Sequence, residues 1–105
     1  MSIKVVNLPN VEISKWAKSA NIEIVISERL PNEHMKECWY ANIPTAEIME
    51  RGMLKGTVAY GDTPLEALED LAEVIGHKKL AFNAMTKQRR EINVPGLFVT
   101  KASLS

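Results

Sequence analysis

The sequence predicts a single α+β domain: an antiparallel sheet, one main helix over residues 63–75 packed across it, and a short N-terminal helix. Three observations predict it. The run Gly61-Asp62-Thr63-Pro64-Leu65-Glu66 has the chemistry of a helix start. The segments 22–30, 39–43 and 89–94 alternate or are β-branched and aromatic, as half-buried strands are. A chain of 105 residues, 46% hydrophobic and 25% charged, has room for one core, so residues 1–105 form one domain.

In chain order, residues 2–6 are a short β-favouring run that ends at Asn7 and Pro9. Ile13, Trp16, Ala17 and Ala20 recur at spacings of three, four and seven, which predicts a short amphipathic helix over 11–20 with Asn10 as its cap. Asn21 stops it. In residues 22–30, Ile22, Ile24 and Ile26 share one strand face, while Glu23, Val25 and Ser27 share the other. Pro31-Asn32-Glu33-His34 supplies a turn, and Trp39-Tyr40-Ala41-Asn42-Ile43 a second strand that ends before Pro44. Together they predict an antiparallel hairpin. Gly52 and Gly56 argue against a long helix in 46–56, so that stretch reads as a second hairpin or a bulged strand, leading into a strand at 57–60.

The main helix is capped by Thr63, with Pro64 at its first position and Glu66 completing a capping box. Leu65, Leu68, Leu71, Ala72 and Ile75 form its apolar stripe, and Glu66, Glu69, Asp70 and Glu73 face away. Gly76 is placed for a left-handed turn, and His77-Lys78-Lys79 puts positive charge beside the helix end. Residues 79–83 read as a further helical turn or an extended segment, 85–88 as a loop, 89–94 as a strand and 97–100 as an edge strand.

Thirteen basic and thirteen acidic residues balance, so no overall field draws the chain to a nucleic-acid polymer or an anionic membrane. Cys38 is the one cysteine, which excludes an internal disulfide and a Cys-based zinc site within one chain. No segment approaches the ~20 apolar residues needed to span a bilayer. The N-terminus has no long apolar run of the signal-peptide kind, so the cytoplasm is the expected compartment. Leu97, Phe98 and Val99, on a chain without net charge, predict self-association as a homodimer or a higher homo-oligomer.

No catalytic or metal-binding set stands out, and no cofactor is implied. His34 and His77 are the only histidines, and neither sits in a nucleophile or metal motif. The helix carboxylates read as a solvated face, Cys38 as structural or incidental, and Trp16 and Trp39 as core. Binding residues are more visible. A strand sends Arg89 and Arg90 to opposite faces, so either both are solvated edge residues or one of them faces a pocket. There a guanidinium can chelate phosphate and stack on a base. Tyr60 followed by Gly61 and the cap Thr63 resembles a nucleotide seat: ring for a base, glycine for close approach, helix N–H groups for phosphate.

Tyr40-Ala41-Asn42-Ile43-Pro44 and the run from Gly61 to Leu71 resemble the HicB-like antitoxin domain, which binds a small toxin protein. Over residues 22–97, from Ile24-Val25-Ile26 through Trp39-Tyr40-Ala41 and the helix to Arg89-Arg90-Glu91-Ile92, the chain resembles the first described family of phage Thoeris anti-defence sponges. The arginine-bearing tail favours that second family. Its members sequester a cyclic ADP-ribose signal without degrading it and are not enzymes. The resemblance implies a phage protein acting in the host cytoplasm. It also implies that Tyr60, Asp70 and Arg89 or Arg90 hold the ligand, Asp70 being an acidic departure.

Overall fold

The computed structural model describes residues 10–29 and 38–104. The expected run at 2–6, the turn at 31–34 with its His34, and Leu30 lie outside the described residues. The elements are β1 (Val11–Glu12), α1 (Ile13–Ser19), β2 (Val25–Glu28), β3 (Trp39–Glu50), β4 (Met53–Gly61), α2 (Pro64–Ile75), β5 (Lys79–Phe82), β6 (Arg90–Asn93), β7 (Leu97–Phe98) and a 3-10 turn at Lys101–Leu104. The architecture is α+β with a mostly antiparallel sheet and two helices.

β3 is the spine of the main sheet. Its first half pairs with β2, its second half with β5, and β4 runs antiparallel along its other side. β6 pairs with β5 at the far end. β4 and β5 are therefore parallel to each other with β3 between them, and α2 is the crossover that joins them. A separate two-stranded ribbon pairs β1 with β7 in parallel.

Pro44 does not end β3. The strand runs on through a register shift between Asn42 and Glu47 and turns back through Arg51 and Gly52. Both turn residues have positive φ, 52° and 76°, as a tight two-residue hairpin with the right twist requires. The bulge changes which residues face the core, from Ala41 and Ile43 to Ala46 and Ile48. It is held by Thr57, whose buried hydroxyl accepts from the Ile43 N–H at 3.2 Å. The same hydroxyl lies 2.7 Å from the Ile43 carbonyl and 3.2 Å from that of Ala46. A proline in a strand is tolerated at bulges for this reason: the ladder is already broken there.

α2 begins as its sequence dictates. Thr63 Oγ1 accepts from the Glu66 N–H at 3.1 Å, and Glu66 Oε2 accepts from the N–H of Asp62 at 3.2 Å. Ala67, Leu68, Leu71, Ala72 and Ile75 are buried against the sheet with Ile43, Ile48, Leu80 and Phe82. Two expectations need correction at the helix ends. The residue in the left-handed region after α2 is His77, at φ 61°, whereas Gly76 has φ −57°. Gly76 is needed for space instead, because a Cβ there would meet the Ala72 carbonyl at 2.8 Å. The cap of α1 is Glu12, not Asn10, because Glu12 Oε2 reaches the Ser14 N–H at 2.7 Å.

Residues 79–82, left open between helix and extended chain, form β5. Leu80, Ala81 and Phe82 are all buried, which is why no alternation marks them. Trp16 is buried, and Trp39 is half-buried against the core. Leu97 and Val99 pack partly onto the core while Phe98 stays exposed. Among the described residues no helix is long and apolar enough to cross a membrane.

Candidate functional site on the outer sheet face

The face of the sheet turned away from α2 carries Val25 and Ser27 from β2, Tyr40 and Asn42 from β3, and Val58 and Tyr60 from β4. Tyr40 and Tyr60 are direct cross-strand partners, and Ser27 lies on the other side of Tyr40. Arg29 follows β2, anchored by its N–H to the Cys38 carbonyl at 2.7 Å, and sets its guanidinium 4.3 Å from the centre of the Tyr60 ring. That is cation–π distance. Asn42 Oδ1 is buried nearby and finds no hydrogen-bond partner among the described residues. Buried polar atoms are almost always paired, so this one stands out.

Asp70 links this face to α2. Its Oδ2 accepts from the backbone N–H of Tyr60 at 3.2 Å, so the helix grips the margin of β4 at that residue. Tyr60, Gly61, Thr63 and Asp70 are thus brought together at the junction of β4 with α2. Their roles differ from those the sequence suggests. Gly61 is buried, and a Cβ on it would collide with the backbone of Glu66 and Ala67, so its closeness serves α2 rather than a ligand. Thr63 spends its hydroxyl on the helix cap. The Glu66 and Asp62 N–H groups are taken and Pro64 has none, which leaves the expected phosphate seat at the helix start with the N–H groups of Thr63 and Leu65.

Arg89 and Arg90 lie elsewhere. The Arg90 guanidinium sits 4.7 Å from the centre of the Phe82 ring, on the face that carries the core. Arg89 is bonded to Glu91 Oε2 at 2.9 Å and to Met49 Sδ at 3.5 Å. Phe82 pairs with Ala46, six positions along β3 from Tyr40, and β5 lies on the opposite side of β3 from β4. Because the bulge sets Tyr40 to Glu47 beside only Tyr60 to Gly56, the offset from Tyr60 along the strand is about 13 Å, and β6 lies a further three strand spacings of about 4.8 Å across the sheet from β4.

Two cavities lie outside this face. The larger, of about 520 Å³, runs between α2 and β7 and is lined by Glu66, Glu69, Asp70, Glu73, Leu97 and Phe98 among others. Four carboxylates around one cavity repel a phosphate. The smaller, of about 320 Å³, lies among Ile13, Ala17, Ile22, Ile24 and Leu68 and is mostly apolar. No group of three or more His, Cys, Asp or Glu among the described residues is placed to hold a metal ion.

The chain matches no protein-family model, no curated protein and no solved structure.

Arg29, Tyr40 and Asn42 carry no signal as site residues in the sequence. Arg29 reaches Tyr60 only through the pairing of β2 and β4 with β3. The visible hint is the alternation Val25, Ser27, Arg29 on one strand face.

Proposed function

We propose that the protein is a non-catalytic binder of a cyclic ADP-ribose isomer or related cyclic nucleotide, holding it intact as a phage anti-defence sponge that blocks Thoeris signalling. The observation that carries the reading is the Arg29 guanidinium 4.3 Å over the Tyr60 ring, with Tyr40 directly across the strand pair. These are the groups a nucleotide asks for. A purine stacks on a tyrosine ring or on a guanidinium plane, and the guanidinium fork takes a phosphate oxygen. The likeness over residues 22–97 to the sponge family supports it. In this site Arg29 takes the phosphate-binding part that the resemblance assigns to Arg89 or Arg90.

Stacking on an aromatic is worth roughly 1–3 kcal/mol per base, and a charge-assisted hydrogen bond about 1.5–3 kcal/mol. Titration calorimetry with cyclic ADP-ribose isomers is expected to show Tyr60→Ala and Arg29→Ala each weakening binding about tenfold or more. Arg90→Ala should bind as the unaltered protein does. Equal affinity in all variants, or no binding of any isomer, would contradict the reading.

A second reading, a HicB-like domain that binds a small toxin protein, is favoured by exposed apolar side chains along β4: Met53 is 63% exposed, and Leu54 and Val58 more than a third. It requires a protein partner that protects β4 from amide exchange, with no nucleotide bound.

A further inference from the structure

β4 is nine residues long and has β3 on one side only among the described strands. In an antiparallel strand both backbone groups of a residue point to the same side. The Tyr60 N–H leaves β3 to meet Asp70, so the backbone groups of Val58, Gly56 and Leu54 also point to the unpaired side. Among the described residues, Asp70 closes that edge at Tyr60 alone. The stretch 54–58 keeps its edge-facing donors and acceptors with no described strand to meet them, and its one charge, Lys55, is turned back to Glu50 at 3.5 Å. Natural edges are normally blunted by charges, prolines or short length. This one is long and apolar.

We infer that a second copy of this chain adds to the edge, β4 against β4 in antiparallel fashion, with the two-fold axis at Gly56. The register follows from the chemistry. Only residues facing the edge can exchange hydrogen bonds, and Tyr60 is already committed; the register that pairs all three of the others sets Leu54 opposite Val58 and Gly56 opposite its own copy. The pairing is self-complementary. Leu54 and Val58, both at least a third exposed on the outer face, cover each other twice across the axis. Among the described residues, none apart from its chain neighbours has an atom within 4 Å of where a Cβ on Gly56 would stand, which leaves the axis open. The result is one continuous sheet through two subunits, an isologous closed assembly. It does not depend on the ligand.

The test is the mass in solution, by light scattering at about 100 µM, with far-UV circular dichroism to confirm each fold. The unaltered protein is expected at twice the chain mass, as is a control, Met85→Lys, placed in a loop away from the edge. Gly56→Pro removes an edge N–H without a bond to β3, and Leu54→Lys/Val58→Lys puts like charges face to face. Each should raise the dimer dissociation constant at least tenfold and give monomer. Gly56→Cys in a Cys38→Ser background should form an intermolecular disulfide on mild oxidation. The Cα atoms of a hydrogen-bonded pair lie about 5.5 Å apart, within disulfide reach. A monomeric unaltered protein, a dimer that survives either edge variant, or failure of the Gly56→Cys variant to cross-link would overturn the inference.

Discussion

Thr57 and Glu12 each hold together segments that the sequence keeps far apart. Pro44 interrupts the ladder between β3 and β4, and the Thr57 hydroxyl supplies the bonds the interrupted backbone needs. Thr57→Val keeps the shape and deletes those bonds, leaving the Ile43 N–H buried without an acceptor. A loss of about 1–3 kcal/mol in urea unfolding is expected. A midpoint unchanged from the parent would show that water reaches the bulge. Asn42 gives the opposite sign. Deleting an unpaired buried polar atom with Asn42→Leu should leave thermal stability equal or higher. If the amide serves the proposed ligand, the same variant binds more weakly.

Glu12 joins α1 to the C-terminal 3-10 turn. It accepts from the Ser14 hydroxyl, the Ser14 and Lys15 N–H groups, and the Ser103 hydroxyl at 2.7 Å. Burial pushes its carboxyl up, but the hydrogen bonds outweigh that and hold it below the usual glutamate range. A depressed folded value means the contribution is present above the unfolded value, about 4.3, and is lost as pH falls through the lowered folded value. Glu12→Gln should therefore cost stability at pH 6 and close the gap to the parent near pH 3. A gap that stays constant over that range would exclude the carboxylate as its source.

Among the elements, α2 was legible because all its information is local: the cap, Pro64 at the start and the apolar stripe fall within a short contiguous run. β3 was not. The bulge shifts its core-facing residues from 41 and 43 to 46 and 48, so alternation read across 39–50 cancels, and Pro44 looks like an end. What rescues the strand is Thr57, fourteen residues away from Ile43. The site divides in the same way. Tyr60 beside a capped helix is a local signal, whereas Arg29 depends on two strand pairings, and the distance from Tyr60 to Arg90 depends on the whole sheet. The structural importance of α2 has a direct test. Leu71 is fully buried, so Leu71→Asp places an unpaired charge in the core and should cost about 4 kcal/mol or more. Chemical unfolding within about 1 kcal/mol of the parent would mean that α2 does not cover the sheet as described.

At the scale of the whole molecule, the outer sheet face and the α2 face do different work. The α2 face holds the core, while the outer face gathers Tyr40, Tyr60 and Arg29 near the Asn42 Oδ1, a buried atom without a partner among the described residues. The central claim is that this face holds a cyclic nucleotide without turning it over. The most direct measurement is to incubate the protein with extract from cells whose TIR enzyme has been activated, wash it, denature it by heat and analyse the released material by mass spectrometry. Recovery of an intact cyclic ADP-ribose isomer, much reduced from Tyr60→Ala, is the predicted result. Release of a hydrolysed product, or of no nucleotide at all, would contradict it.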